Sequence, residues 1–438
     1  MRSYIRESVA SVTGRSLKTA SVACLALSFV LAAGCSDLTS LKQENPGQID
    51  AGSLYNPANA QLLVNGAIAD FDCAFSSYVV GTGLLGDELI NAIAQTTNYD
   101  YDRRTLTPTS VYVGACGNAF SPGIYTALQI ARGTADTAYA KLAGWTDEEV
   151  PQRTRMMGQL AAYAGYSLVL LGESMCSAAI NLGPELQPAQ LFEEAKLRFD
   201  LAIDAATTAG DATTLTFAHL GRARALQGLG DLAAAEADAE AIPTDFVVNI
   251  STDAVDPRRQ NAVYVHTTQG FYGSVDPSFR GLTLDGGPDP RVLVTNTGNT
   301  GSAASTPIWT ADKYPTITTP IPVARYAEAQ LIIAEARLAA HDIPGAVDAI
   351  NAARKSGGRI GMPDYDATGQ TEAEVKAQLI EERRRELFLE GHRFGDVRRY
   401  NLPLVPAPGS PYPAGGGVYG DQRCFPLPDV ERNNNPNI

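Results

Sequence analysis

Two segments interleave aromatic rings with hydrogen-bonding side chains. One is Asn98-Tyr99-Asp100-Tyr101-Asp102-Arg103. The other gathers Tyr264, Phe271, Tyr272, Phe279 and Arg280, with Trp309, one of two tryptophans, further along. Such mixtures suit sugar rings: an aromatic face covers the CH-rich face of a pyranose, while Asn, Asp or Arg serves the hydroxyls. Tyr99, Tyr101, Arg103, Tyr272 and Trp309 are therefore the candidate ligand-binding residues. Their competing role is packing in small loop cores. No tryptophan pair makes a glycan-stacking arc, so the ligand stays open between oligosaccharide and peptide.

Catalysis finds less support. Glu381, Glu382, Arg383, Arg384, Arg385 and Glu386 can pair along and between helices. Arg393 and Asp396 are expected to form an ion pair near the helix end, and Ile380, Leu387 and Leu389 to lie on a buried helix. Nothing sets two carboxylates around a reactive bond. His392 reads as a packing or hydrogen-bonding residue, and the other three histidines are scattered. No catalytic residue is assigned. Without a Cys-x-x-Cys or Cys/His cluster, neither metal nor cofactor is expected.

The N-terminus bears on location. Arg2, Arg6, Arg15 and Lys18 precede an uncharged apolar run, residues 19–33, that ends in Leu31-Ala32-Ala33-Gly34-Cys35. This is the layout of a secretory signal, too short for a comfortable membrane span. Small residues before a cysteine make a lipobox. Cleavage would leave Cys35 carrying several acyl chains, enough for stable anchoring. Ser36 favours onward transport to the outer membrane. Residues 1–34 are thus expected to be the leader and 35–56 a lipidated tether. The net charge of −14 becomes −17 once the leader takes four basic residues and one acidic residue with it. So acidic a chain argues against nucleic acid and against charge-driven binding to anionic lipid. Of six cysteines, Cys73, Cys116, Cys176 and Cys424 remain after Cys24 and Cys35. Three pairings are open in an oxidising compartment. Cys73–Cys116 with Cys176–Cys424 is favoured, since the first two share one N-terminal region.

The elements that position these residues are mostly helical. Periodicity predicts helices over residues 59–69, 122–142, 190–209, 213–229 and 232–241, and a helical part near 84–94. Residues 151–172 are amphipathic, with Met157, Leu160, Ala161, Ala164, Leu168 and Leu171 on one face. A repeat aligns Ala223, Gly230, Asp231, Leu232, Ala235 and Ala239 with Ala334, His341, Asp342, Ile343, Ala346 and Ile350, at a constant offset of 111. Each copy reads as a tetratricopeptide-like helix, turn and helix, with Arg337 where the first has Leu226. Between the copies, residues 242–322 are rich in Gly, Pro, Thr, Asn and Asp, with β-like pieces at Val263-Tyr264-Val265 and Val292-Leu293-Val294. So long an irregular insertion points to function.

The run Ala324-Arg325-Tyr326-Ala327-Glu328-Ala329, then Ala349-Ile350-Asn351-Ala352-Ala353-Arg354, then Ile380 to Arg399 through Glu390-Gly391-His392-Arg393-Phe394-Gly395-Asp396, resembles the SusD/RagB family. Asp289-Pro290-Arg291, Lys313-Tyr314, Phe425-Pro426-Leu427-Pro428 and Asn435-Pro436-Asn437 resemble it too. The resemblance implies a mainly α, SusD-like fold over residues 57–438: a tetratricopeptide-like helical hairpin scaffold (about 57–241 and 323–400) and a loop-rich lobe with short strands (about 242–322 and 401–438). It implies a lipoprotein on the outer face of the outer membrane, sitting over a TonB-dependent, SusC-like transporter. Such a protein holds a glycan, or in some members a peptide, without catalysis. A secreted tetratricopeptide-like scaffold for protein partners is the alternative from another class.

Overall fold

The structure, a computed structural model, describes residues 51–438. The leader, Cys35 and most of the tether lie outside the described residues. Ala51–Leu54 form one helical turn, and residues 55–438 are a separate unit.

That unit is a succession of helices, most of them packed on a sequence neighbour: α1 (Ala60–Leu85), the short α2 (Thr96–Asp102), α3 (Tyr125–Ala143), α4 (Arg153–Ser174), α5 (Pro188–Ala209), α6 (Ala212–Leu229) and α7 (Leu232–Ala239). After a long excursion come α8 (Tyr326–Ala339), α9 (Ile343–Lys355), α10 (Glu372–Glu386) and α11 (Arg393–Arg399), with α8 against α7. Small residues set the spacing. Phe192 and Phe199 lie seven apart on α5, and each ring slots between two glycines. A Cβ at Gly165 or Gly221 would sit 2.8 or 2.3 Å from Phe199, and one at Gly172 or Gly228 2.7 Å from Phe192. Seven residues is close to two helical turns, so both knobs stay on one stripe.

The repeat has a local cause. Gly230 and His341 adopt left-handed φ of 81° and 63°. The following Asp231 and Asp342 cap the next helix through the amides of Ala234 and Gly345. Such a turn reverses the chain and satisfies an orphan amide at once. Gly210-Asp211 makes the same turn between α5 and α6, a third copy that the sequence alignment missed. Arg337, the departure from Leu226, reaches across to Glu236 of α7 and to Glu240 just after it, and ties the copies together.

The excursion leaves and returns through one neck, where β2 (Val247–Asn249) pairs antiparallel with β8 (Pro322–Arg325). Within and beside it run three more two-stranded sheets: β1 (Leu89–Asn91) with β3 (Gly273–Val275), β4 (Thr283–Leu284) with β5 (Gly287–Pro288), and β6 (Val294–Thr300) with β7 (Pro307–Ala311). Mainly helical with small sheets, the fold is as expected. Several details differ. The first helix runs to Leu85 rather than residue 69, because residues 71–85 are buried on every side and show no amphipathic period. The expected helix near 84–94 is broken at Gly86, and Asp87 at φ 68° turns the chain into β1. Val263-Tyr264-Val265 is helical, because the Asn261 side chain caps it at the Tyr264 amide. Of Val292-Leu293-Val294 only Val294 enters a strand. Helix α10 ends at Glu386, so buried Leu387 and Leu389 follow it, and Ile380 is only partly buried.

A seam of buried ion pairs fixes the excursion to the scaffold. Glu382 accepts from Arg291 and Arg354, both at 2.5 Å. Glu386 binds Arg325 and Arg359, and Glu390 binds Arg325 and Lys313. Asp289 holds Arg291 and Arg385. Arg393 does not pair with Asp396. It grips Asp87 at 2.8 and 2.9 Å, and Asp396 takes Arg383 and Arg399. Arg393 finds its carboxylate on another segment, while Asp396 is shared between Arg383 of α10 and Arg399 one turn further along α11.

Candidate functional site

Helix α1 supplies the floor of a hollow of about 190 Å³, with Cys73, Ser76 and Ser77 on one face. Cys73 is bonded to Cys116, which holds the loop Gly117–Ser121 against that floor, and Cys176 is bonded to Cys424. The Asn118 side chain accepts from the amides of Phe120 and Ser121, an Asx turn that presents Phe120. The opposite wall is pinned by Ser76, whose hydroxyl donates to the Gln260 carbonyl at 3.2 Å and accepts from the Ala262 amide at 2.9 Å. Arg258 and Gln260 line that wall, and Arg258 is held by Asp70 at 2.7 Å.

Tyr272 closes the hollow. Its ring meets Phe120 edge to face, centroids 5.0 Å apart. The backbone around it is specialised. A Cβ on Gly270 would lie 2.3 Å from the Tyr272 ring, and one on Gly273 2.3 Å from His266 Nε2. Between them Phe271 has φ 50°, a costly conformation for an aromatic residue and of the kind found at ligand sites. Behind the wall, buried His266 donates from Nδ1 to the Ala119 carbonyl at 2.6 Å. That bond fixes the tautomer and leaves Nε2 without a partner. Burial pushes the imidazole down to about 4, so it is neutral at pH 7. The hollow thus offers two rings at right angles, an amide from Asn118 or Gln260, hydroxyls from Ser76 and Ser77, and one paired guanidinium. It can cover a ring face and hydrogen-bond its edge.

Of the five sequence candidates only Tyr272 lines this hollow. Tyr101 is fully buried, its hydroxyl donating to the Pro122 carbonyl. Tyr99 packs on Tyr412 in a separate core with Ala303, Ala414 and Tyr419. Arg103 pairs with Asp100 at 2.9 Å and lies over the Tyr412 ring. Trp309 is half-buried on β7 with the Arg280 guanidinium 5.3 Å from its ring, outside the hollow. Phe279 stacks on Phe388 in the main core. Sequence reasoning missed Asn118, Phe120, Arg258 and Gln260. The signal was Cys116-Gly117-Asn118, a turn tied by a cysteine, and the glycines flanking Phe271-Tyr272. Among the described residues there is no group of carboxylates, histidines or cysteines placed for a metal, and no helix long and apolar enough to cross a membrane.

A helical repeat scaffold bearing a loop lobe with an aromatic hollow defines a binding protein. Residues 255–438 match the SusD family. Solved structures with the same fold include three with closely similar coverage. A SusD-like carbohydrate binding protein from Bacteroides vulgatus is 16% identical, with a TM-score of 0.63 over 87% of this chain and 97% of its own. A SusD superfamily protein from Bacteroides fragilis is 16% identical, with a TM-score of 0.65 over 87% and 99%. Surface glycan-binding protein A from Bacteroides thetaiotaomicron, solved in complex with laminarihexaose, is 14% identical, with a TM-score of 0.62 over 87% and 98%. No curated protein matches the chain.

Proposed function

We propose that this chain is a lipid-anchored surface protein that captures a nutrient oligomer, a glycan, and hands it to a TonB-dependent outer-membrane transporter. The observation that carries the ligand class is the pairing of Tyr272 and Phe120 at right angles beside Asn118, Gln260 and two serines. The match of residues 255–438 to the SusD family supports it, as does the fold shared with a surface glycan-binding protein solved with laminarihexaose. The hollow is smaller than the roughly 300–1,000 Å³ of sites that enclose a whole ligand. One ring of an oligomer fills it. The neighbouring units run over the exposed residues 94–97, whose flanks bond to Tyr272 and Phe120 through Ala92 and Asn98. The lipobox at Cys35 supplies the anchor.

The test is a combined glycan and peptide array on the soluble protein beginning at Ser36, followed by calorimetry. Oligosaccharides should bind and be recovered intact, with no new reducing ends. Binding of peptides alone would overturn the ligand class. Co-purification of the acylated protein with a TonB-dependent transporter tests the handover, and its repeated absence would count against it.

A further inference from the structure

A second cavity, of about 240 Å³, lies in the scaffold between α4, α6 and α11 and shares no lining residue with the aromatic hollow. Arg224, Arg383, Arg398 and Arg399 line it, against Glu173 and Asp396. Three of the arginines are matched. Arg224 forks onto Glu173 at 2.6 and 2.7 Å, Arg383 takes Asp396 at 2.8 Å, and Arg399 bridges Asp396 and Glu335. Arg398 is not. Among the described residues it makes no ion pair, and its only hydrogen bonds run from Nη1 to the carbonyls of Gly172 and Glu173. Among the described residues its Nε and Nη2 have no hydrogen-bond acceptor. Counting Glu335, four cations face three anions. His392 adds no charge, since burial and the surrounding arginines hold it neutral. Glu328, 3.7 Å from Arg224 behind the lining, is lifted by burial to about 7 and so is only partly charged.

The remaining wall is apolar. Phe192 and Pro188 form it, and the Phe192 ring is held edge-on by Gly172 and Gly228. A guanidinium with two free N–H groups presents the fork that carboxylates take up in bidentate fashion. With Glu328 partly charged the excess is at most one positive charge, which matches a monoanion better than a phosphate dianion. We propose that this cavity is a second ligand site, binding a small organic carboxylate with its oxyanion on Arg398 and its carbon skeleton on Phe192.

Capping the end of α4 explains one nitrogen of Arg398 but not the other two, and the experiment separates these roles. Calorimetry and thermal unfolding of the soluble protein are run with lactate and glucuronate as probes, and with phosphate, chloride and glucose as controls. A carboxylate should bind at one site per chain and raise the unfolding midpoint, while glucose and chloride do not. Arg398→Gln should weaken that binding at least tenfold. Gly395→Leu is the second variant. Gly395 is helical, and the nearest atoms to an added Cβ belong to Glu173 at 3.5 Å, an ordinary contact. The larger side chain should fill the cavity and abolish carboxylate binding with every charge intact. Neither variant should change glycan binding at the hollow. No response to any carboxylate, an equal response to chloride, a response to phosphate alone, or carboxylate binding that survives both variants would each overturn the proposal.

Discussion

The ionic seam and the aromatic hollow treat polar residues in opposite ways. In the seam Glu382, Glu386 and Glu390 are at most 2% exposed, and each holds two or more cations. In the hollow Asn118 and Arg258 are exposed and Gln260 is half open. Buried charge tolerates no substitution that removes one partner, because the other is left uncompensated. A half-open polar rim tolerates many, because water replaces what is lost. The run Ile380 to Arg399, which carries the family likeness, therefore serves to hold the lobe on the scaffold. The surface offered to a ligand comes from segments under no such constraint.

Breaking the seam should have the largest effect. Glu382→Ala leaves Arg354 without a carboxylate in the interior and Arg291 with Asp289 alone, and should cost about 3–5 kcal/mol in urea unfolding. Glycan affinity of the folded fraction should be unchanged. A loss below about 1 kcal/mol would show that the seam is ornamental.

Replacing Cys73 and Cys116 by alanine comes next. Opening a loop with a sequence separation of 43 should cost about 4 kcal/mol by chain entropy. It should also lower glycan affinity, since Cys73 lines the hollow and Cys116 anchors the turn carrying Phe120. Removing Cys176–Cys424 should lower stability without that second effect. Equal loss of binding in both would mean that the first bond has no special tie to the site.

His266 sharpens the comparison through pH. Its folded value near 4 lies below the unfolded 6.5, so the neutral ring contributes stability that is complete above pH 6.5. As pH falls from 6.5 to 4 the unfolded chain takes up a proton that the folded one refuses, and about 3 kcal/mol is lost. His266→Gln should flatten the stability curve in that window by about one proton. An unchanged slope would remove His266 from the account.

What the sequence disclosed follows from how local each cause is. The repeats were legible because a left-handed residue, a capping aspartate and an alanine seam all act within a few positions. The third turn at Gly210-Asp211 obeys the same rule and joins the helices read at 190–209 and 213–229. Residues 71–85 were not legible as helix, since a segment buried all round has no polar face to mark its period. Nor were Tyr101 and Tyr272 distinguishable. Both sit among polar neighbours, and what separates them is the packing of Pro122 over one and glycines around the other.

The smallest effects test that distinction. Tyr272→Ala should weaken glycan binding about tenfold, by loss of one aromatic contact, and leave stability nearly unchanged. Tyr101→Phe should leave glycan binding alone and cost about 1 kcal/mol, because the Pro122 carbonyl loses its donor in a dry interior. Trp309→Ala, half-buried outside the hollow, should fall between them, with a packing loss and little change in affinity. Paired titrations on the three variants suffice. If Tyr101→Phe or Trp309→Ala weakened binding more than Tyr272→Ala, the ligand face would lie elsewhere in the lobe, and Tyr272 would be one more packed ring.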